Sequence, residues 1–146
     1  MAEVVLRDQV AKAGLTDRVI VDSAGTGNWH VGDRMNNRAR AQLRRGGYDG
    51  EAHRARQFHR SWLADRDLLL AMDADNLRDL RALAPDGDPD PDHRIRLFGE
   101  IAGLGGEDVP DPYYGTDADF AHVLDMLESG MASIVNQLRT TYFADR

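Results

Sequence analysis

The chain has 146 residues, 42% of them hydrophobic and 29% charged, and a net charge of −7, a composition typical of one globular domain. The acidic balance argues against a nucleic-acid surface, which needs a basic stripe, and the sequence has no run of roughly 18 apolar residues that would span a membrane. Charges close to the amino terminus do not fit a signal peptide, so a cytoplasmic protein is expected. The absence of cysteine excludes disulfides, thiolate zinc sites and a cysteine nucleophile within these residues.

The first third of the chain predicts a helix, a strand, a loop and a second helix. Residues 1–13 carry a mostly apolar stripe at helical spacing that stops at a glycine. Residues 18–23 form a short β-branched run, which predicts a strand. A glycine-rich loop follows at residues 24–30, and residues 37–45 predict a helix closed by two glycines.

The middle of the chain continues this alternation. A short helix is predicted near residues 61–64. Residues 68–72 are apolar without interruption, which is typical of a strand covered on both faces, and this strand is expected to be among the most buried. Residues 74–83 predict a helix capped by an aspartate, and residues 94–98 predict another strand.

The longest predicted helix covers residues 116–139, where the apolar residues follow the helical period and Thr116 and Asp119 have the spacing of a capping box. Because strands alternate with helices, the predicted class is α/β with a parallel sheet of at least three strands. No repeat or linker divides the sequence, so a single domain over residues 1–146 is expected.

Two loops are candidates for ligand sites. Residues 24–27 lack the glycine and lysine spacing of a nucleotide-binding P-loop. Residues 86–92 alternate aspartate with glycine and proline, but Leu97 stands where a calcium loop needs glutamate, so a solvated acidic loop is the default interpretation. The five histidines have no H-x-x-x-H spacing that would indicate zinc. No metal or cofactor is therefore expected.

Residues 109–115 are the stretch most suggestive of chemistry. Pro110 and Pro112 bracket Asp111 and stiffen its backbone. A carboxylate on a rigid loop beside tyrosines suits a general acid, although a proline-rich connector with an exposed aspartate is an equally good interpretation of these residues alone. Trp29, in the glycine-rich loop, is either a core anchor or one wall of a ligand pocket.

Five sequence blocks in order carry a resemblance. They are M-A-E at 1–3, D-S-A-G-T-G-N-W-H-V-G at 22–32, H-R-A-R-Q at 53–57, A-M-D-x-x-N-L-R-D-L at 71–80 and V-P-D-P-Y-Y-G at 109–115. With these blocks the sequence resembles the low-molecular-weight protein tyrosine phosphatases over essentially its whole length, and residues 22–32 are most similar to the actinobacterial branch. The resemblance implies a three-layer α/β/α fold and metal-free hydrolysis of protein phosphotyrosine through a phosphocysteine.

The resemblance also implies residue roles. Asp111 corresponds to the acid that protonates the leaving oxygen. Tyr113, Tyr114 and Trp29 correspond to the walls of the substrate cleft. Ser23 and His53 correspond to the pair that supports the phosphate-binding loop through hydrogen bonds.

One departure limits the implied activity. The family's phosphate loop reads C-x-x-x-x-x-R-[ST], usually followed by P-M-A-E, and here residues 1–3 stand where that M-A-E would be. The first strand, the cysteine and the arginine are then missing, and residue 1 is expected to be an internal methionine chosen as the start. The 146 residues alone are expected to be inactive, with a gap or a direct pairing between the strands at 18–23 and 68–72.

Two alternatives to the phosphatase stay open at this point. One is a non-catalytic module that binds a phosphoprotein or another partner through the remaining cleft. The other is an arsenate reductase of the same fold, which needs redox cysteines that are not in this sequence.

Overall fold

The computed structural model describes residues 1–85 and 91–144. Its sheet consists of two parallel strands, β1 (Leu69–Ala71) and β2 (Ile95–Leu97), paired with Leu69 opposite Ile95. Two of the described helices lie between the strands in the sequence, since parallel pairing requires a crossover connection. Both strands lie inside the ranges predicted from their apolar residues.

Helices make up about half of the described chain. Those predicted at 37–45 and 74–83 are found with the same bounds, and Oδ1 of Asp73 caps the second by accepting a hydrogen bond from the amide of Asn76 at 2.8 Å. The longest helix extends three residues beyond its predicted end. The helices are α1 (Ala2–Lys12), α2 (Asn37–Arg45), α3 (Trp62–Asp65), α4 (Ala74–Leu83), α5 (Pro91–Arg94), α6 (Phe98–Ile101) and α7 (Asp117–Tyr142).

The two faces of the sheet are covered by different helices. On one face α1, α2, α6 and α7 enclose the larger core, whose most buried side chains are Val5, Leu43, Phe98, Leu127, Met131 and Ile134. On the other face α3 and α4 enclose a smaller core made of Leu63, Leu69, Ala71, Leu80 and Ile95. Helices on both sides of a parallel sheet confirm the predicted α/β class.

The prediction of a third strand at residues 18–23 is wrong for the described residues. Residue 18 belongs to a turn, residues 19–23 have no regular secondary structure and join no ladder, and Ile20 is 96% exposed. The carbonyl of Val21 instead accepts hydrogen bonds from the Arg7 side chain, at 3.2 Å from Nε and 2.7 Å from Nη2. A β-branched run becomes a strand only where a neighbouring backbone pairs with it. Here the carbonyl of Val21 is hydrogen-bonded to the side chain of Arg7 in α1 and not to another strand.

The burial of β1 also differs from the prediction. Leu69 and Ala71 are buried in the smaller core, while Leu68 and Leu70 pack against the larger core and are only partly buried. Both faces are covered, but unequally, because successive side chains of a strand point to opposite faces. The strand predicted at residues 68–72 is therefore buried at Leu69 and Ala71, while Leu68 and Leu70 are partly exposed.

Most of the acidic loop, residues 86–90, lies outside the described residues, so the structure does not test the interpretation of that loop. Within residues 1–85 and 91–144, no three histidine or carboxylate side chains come close enough together to hold a metal ion. No helix in this part of the chain is long and apolar enough to cross a membrane.

Candidate active site

The loop that carries Asp111 is attached to the carboxyl end of β1. The amide of Val109 donates a hydrogen bond to the carbonyl of Met72 at 2.8 Å, one residue beyond the strand. Asp108 Oδ1 accepts a hydrogen bond from the amide of Ala74 at 3.1 Å, at the start of α4. The loop therefore lies at the carboxyl edge of the parallel sheet, where α/β proteins bind their ligands.

The carboxylate of Asp111 is oriented by its own loop. Its Oδ1 accepts a hydrogen bond from the amide of Tyr113 at 3.0 Å, two residues further along the chain, and the residue is exposed. This turn fixes the direction of the side chain. Oδ2 has no hydrogen-bond partner in the described part of the chain, so one oxygen remains available to exchange a proton with a ligand.

A row of four rings starts at this loop. The rings of Tyr114 and Tyr113 meet edge to face with centroids 4.8 Å apart, the Tyr113 ring lies 6.0 Å from His30, and the His30 ring lies 6.4 Å from Trp29. Trp29 is 77% exposed and Tyr114 is 96% exposed. Trp29 is therefore no core anchor, and the row joins it to the Asp111 loop along one surface.

His30 is the member of this row that the sequence interpretation missed. Its Nδ1 lies 3.3 Å from Oδ2 of Asp33, a contact that orients the ring between Trp29 and Tyr113. The only feature of the sequence that points to His30 as a site residue is its position next to Trp29 in the glycine-rich loop. Nothing in a single sequence shows which residue of that loop faces a loop some 80 positions away.

Ser23 and His53 are in contact with each other and with the first helix. Ser23 Oγ lies 2.9 Å from Oε1 of Glu3 and 3.2 Å from Nε2 of His53. A serine hydroxyl has one proton, and a carboxylate only accepts, so that proton goes to Glu3. Nε2 of His53 must then donate to Ser23, which leaves Nδ1 as the acceptor.

The state of His53 follows from its surroundings. Burial lowers the pKa of its imidazole; the negative charge of Glu3 opposes this, and the positive charges of the amino terminus, Arg56 and Arg7 lower the pKa further. The neutral ring is therefore favoured near neutral pH. Its Nδ1 is buried and has no hydrogen-bond partner among the described residues, so an acceptor is available beside the segment that begins at Ser23.

Glu3 is the second residue of the site to which the sequence interpretation gave no role, although Glu3 belongs to the M-A-E block. It is 9% exposed, and besides Ser23 it faces Nη2 of Arg7 at 3.5 Å. A carboxylate this buried is stable only with such partners. Glu3 therefore links the start of α1 to Ser23 and, through it, to His53.

Asp22, the neighbour of Ser23, is held by two arginines. Its Oδ2 lies 2.5 Å from Nη2 of Arg66 and 3.4 Å from Nη2 of Arg56. Burial alone would raise the pKa of Asp22, but hydrogen bonds and positive charge from Arg66 and then Arg56 outweigh it and lower the pKa. Both guanidinium groups also stack on Trp62, at 4.3 Å for Arg66 and 5.1 Å for Arg56. This cluster fixes the segment that leads into the site.

Comparison with known proteins identifies the family. Residues 1–142 match the model of the low molecular weight phosphotyrosine protein phosphatase family. The chain belongs to this family.

Individual relatives agree with the assignment. A low molecular weight protein-tyrosine-phosphatase of Streptomyces coelicolor is 43% identical over 140 residues, which is 95% of this chain and 85% of the relative. The crystal structure of YfkJ from Bacillus subtilis is 30% identical with a TM-score of 0.84, covering 97% of this chain and 86% of that one. A protein tyrosine phosphatase structure from Entamoeba histolytica is 29% identical with a TM-score of 0.87, covering 96% and 88%.

In this phosphatase-family chain, Arg38 of α2 secures the far end of the Asp111 loop. Its side chain donates to the carbonyl of Gly115, its Nε lies 3.4 Å from Oδ1 of Asp117, and its guanidinium stacks on Phe120 at 5.8 Å. The predicted capping contact is also present, since Oδ2 of Asp119 accepts from the amide of Thr116 at 2.7 Å. The loop is therefore attached at both ends to rigid elements.

The six residues singled out from the sequence fall into two groups in this phosphatase-family fold. Asp111, Tyr113 and Tyr114 share one loop, and His30 joins that loop to Trp29. The second group is the Ser23 and His53 contact, which Glu3 completes. The catalytic and supporting roles of these residues remain predictions.

Proposed function

We propose that these residues form the acid half of a protein-tyrosine phosphatase, in which Asp111 is the general acid. The observation that carries the proposal is the Asp111 carboxylate, oriented by the amide of Tyr113 at 3.0 Å, next to a row of exposed rings at the carboxyl edge of the sheet. Membership of the phosphatase family and the names of the relatives support it. A phosphotyrosine ring would lie along the row formed by Trp29, His30 and Tyr113.

In the proposed chemistry the phosphate loop supplies the nucleophile and the Asp111 loop supplies the acid. A thiolate attacks phosphorus, the bond from phosphorus to the tyrosine oxygen breaks, and Asp111 gives its proton to that oxygen. A phenolate is otherwise a poor leaving group because its conjugate acid has a pKa near 10. In the second step Asp111 takes a proton from water, which attacks the phosphocysteine and releases phosphate.

The thiolate and the anion-binding arginine come from the family's C-x-x-x-x-x-R-[ST] loop, which does not occur in the 146 residues. A general acid contributes typically 10²–10⁴-fold to a rate, and it does so only when a nucleophile and an anion site are present. We therefore propose that the 146-residue chain alone does not hydrolyse aryl phosphates.

The buried cluster has a supporting role in this proposal. The lone pair on Nδ1 of His53 and the hydroxyl of Ser23 would hold the backbone of the phosphate loop, while Glu3 holds Ser23 in place. Such indirect support matters because displacement of reacting groups by about 1 Å costs a large part of the rate.

The remaining features of the proposal follow from the family. The substrate would be a phosphotyrosine-containing protein in the cytoplasm, no cofactor or metal would take part, and residues 1–146 would form one domain. No nucleic-acid partner is proposed for a chain with a net charge of −7.

The competing proposal is a non-catalytic module that binds phosphoproteins in the same cleft. The experiment compares the 146-residue chain with a version extended ahead of Met1 by a strand and a C-x-x-x-x-x-R-S loop, each assayed with a phosphotyrosine peptide. Turnover by the extended chain alone supports the phosphatase. Tight binding of the peptide by the short chain, with no turnover by the extended one, would favour the binding module.

A further inference from the structure

The basic side chains of this acidic protein are concentrated in one segment. Residues 34–66 contain nine of the 18 basic residues and only three of the 25 carboxylates. The segment includes α2, α3 and the extended chain at residues 53–58, which lies beside the glycine-rich loop. Most of its arginines are engaged, for example Arg40 and Arg44 with Glu51.

Two of these arginines stand opposite each other without a carboxylate. Arg34 and Arg54 form an antiparallel bridge, and both residues are exposed. The flanking hydrogen bond runs from the amide of Ala55 to the carbonyl of Asp33 at 2.9 Å. Opposed residues between such bonds have their side chains on the same face and close together. Neither arginine lies in an ion pair in the part of the chain that the structure describes.

This arrangement has an electrostatic cost that an anion would remove. Like charges directly opposite each other destabilise a paired backbone. Arg54 is also preorganised, because its Nη1 donates to the carbonyls of Glu51 and His53, each at 2.8 Å. Its other N–H groups remain directed away from those carbonyls, as a guanidinium is a planar fork. Two guanidinium groups placed in this way can both donate hydrogen bonds to one carboxylate.

The pair adjoins the candidate site. Arg34 follows Asp33, whose carboxylate lies 3.3 Å from the His30 ring in the aromatic row. Arg54 follows His53, the partner of Ser23. A peptide whose phosphotyrosine lies along the ring row would extend its neighbouring residues over this rim.

We infer that Arg34 and Arg54 form a docking site for a carboxylate side chain of the substrate, so that the enzyme prefers phosphotyrosines in acidic sequences. The inference rests on the proposed phosphatase function for its biological meaning. The docking contact itself needs no phosphate, since it joins guanidinium and carboxylate groups.

The test uses the 146-residue chain and a fluorescein-labelled peptide of alternating Glu and Gly, without phosphate. A Gln and Gly peptide is the control ligand, and binding is followed by fluorescence anisotropy at low salt. The double variant Arg34→Gln/Arg54→Gln should weaken binding of the Glu peptide roughly tenfold, because each exposed ion pair is worth a factor of a few. The matched variant Arg45→Gln/Arg78→Gln has the same net charge and should change it less than about twofold.

Equal losses in both double variants would show a general charge effect and overturn the docking site, as would equal binding of the Glu and Gln peptides. Amide chemical shifts of the unmutated chain give an independent measure. When the Glu peptide is added, these shifts should change first at residues 32–34 and 53–55. Changes centred elsewhere would contradict the inference.

A second arm separates this inference from the proposed function. In the extended chain, Arg34→Gln/Arg54→Gln should reduce kcat/KM for a Glu-flanked phosphotyrosine peptide relative to an Ala-flanked one. The rate with a small activated aryl phosphate should not change. If the extended chain turns over neither substrate, the proposed phosphatase function is refuted, and the anisotropy measurement still tests the docking site. If the extended chain is active but shows no preference for Glu-flanked peptides, only the docking site is refuted.

Discussion

Nε2 of His53 lies 3.2 Å from Oγ of Ser23, and the same hydroxyl lies 2.9 Å from a carboxylate oxygen of Glu3. These three side chains form a directed chain of hydrogen bonds from imidazole to hydroxyl to carboxylate. Removal of the central hydroxyl therefore leaves the buried Glu3 and the partly buried His53 without this partner. The stability of the fold and the proposed support of the phosphate loop would therefore both depend on this contact.

Replacement of the hydroxyl, Ser23→Ala, should destabilise the chain by about 1–3 kcal/mol, because the Glu3 carboxylate stays buried with one donor fewer. The measurement is urea unfolding followed by circular dichroism. Ser129→Ala is the matched control, since Ser129 donates to the carbonyl of Met126 on the exposed side of α7, and it should change the free energy by no more than about 0.5 kcal/mol. Equal effects of the two substitutions would show that the contact with Glu3 contributes nothing.

The lowered pKa of His53 predicts a pH dependence of stability. In the unfolded chain its imidazole titrates near 6.5, and burial lowers its pKa in the fold. As pH falls below 6.5 the unfolded state takes up the proton first, so stability is lost until the pH reaches the folded pKa. The stability contributed by a neutral His53 is present above pH 6.5.

Unfolding free energies measured from pH 7.5 to 5 should therefore fall for the unmodified chain and fall less for His53→Gln. His122→Gln, at an exposed position of α7, serves as the control and should keep the full slope. A wild-type slope retained in His53→Gln would show that other groups cause the pH dependence.

Trp29 is positioned by the glycine two residues before it. A methyl group on Gly27 would come within 2.3 Å of the Trp29 ring, whereas one on Gly25 would meet no atom within 4 Å. Gly27→Ala should therefore displace the ring from the aromatic row, and Gly25→Ala should not. In chains labelled with 5-fluorotryptophan, the ¹⁹F resonance of Trp29 should shift only in Gly27→Ala. A Trp62→Phe variant assigns the two signals, and a shift of equal size in Gly25→Ala would contradict the packing described.

The elements that could be predicted from sequence are those stabilised by local contacts. The bounds of α2 and α4 follow from helical periodicity and from side chains that cap their first turns, such as Asp73. The segment at residues 18–23 has the composition of a strand, but a strand requires a partner elsewhere in the chain. Composition does not reveal that the side chain of Arg7 donates hydrogen bonds to the carbonyl of Val21.

The candidate site could be predicted only in part for a similar reason. Stiffness of the Asp111 loop follows from its two prolines, and the loop is found with the carboxylate oriented as a short turn. The contact between Ser23 and His53 spans 30 residues, and only the family resemblance suggested it. His30 and Glu3 were missed because their importance arises from neighbours that are distant in sequence.

The central claim is that Asp111 donates the proton to the leaving group. Its most direct test is steady-state kinetics of Asp111→Asn in the chain extended by the C-x-x-x-x-x-R-S loop, with a phosphotyrosine peptide and an activated aryl phosphate as substrates. We expect kcat to fall by about 10²–10⁴-fold for phosphotyrosine and much less for the activated phosphate, whose leaving oxygen needs little protonation. Equal reductions for both substrates, or steady turnover by the cysteine-free 146-residue chain that disappears in its own Asp111→Asn variant, would contradict the account.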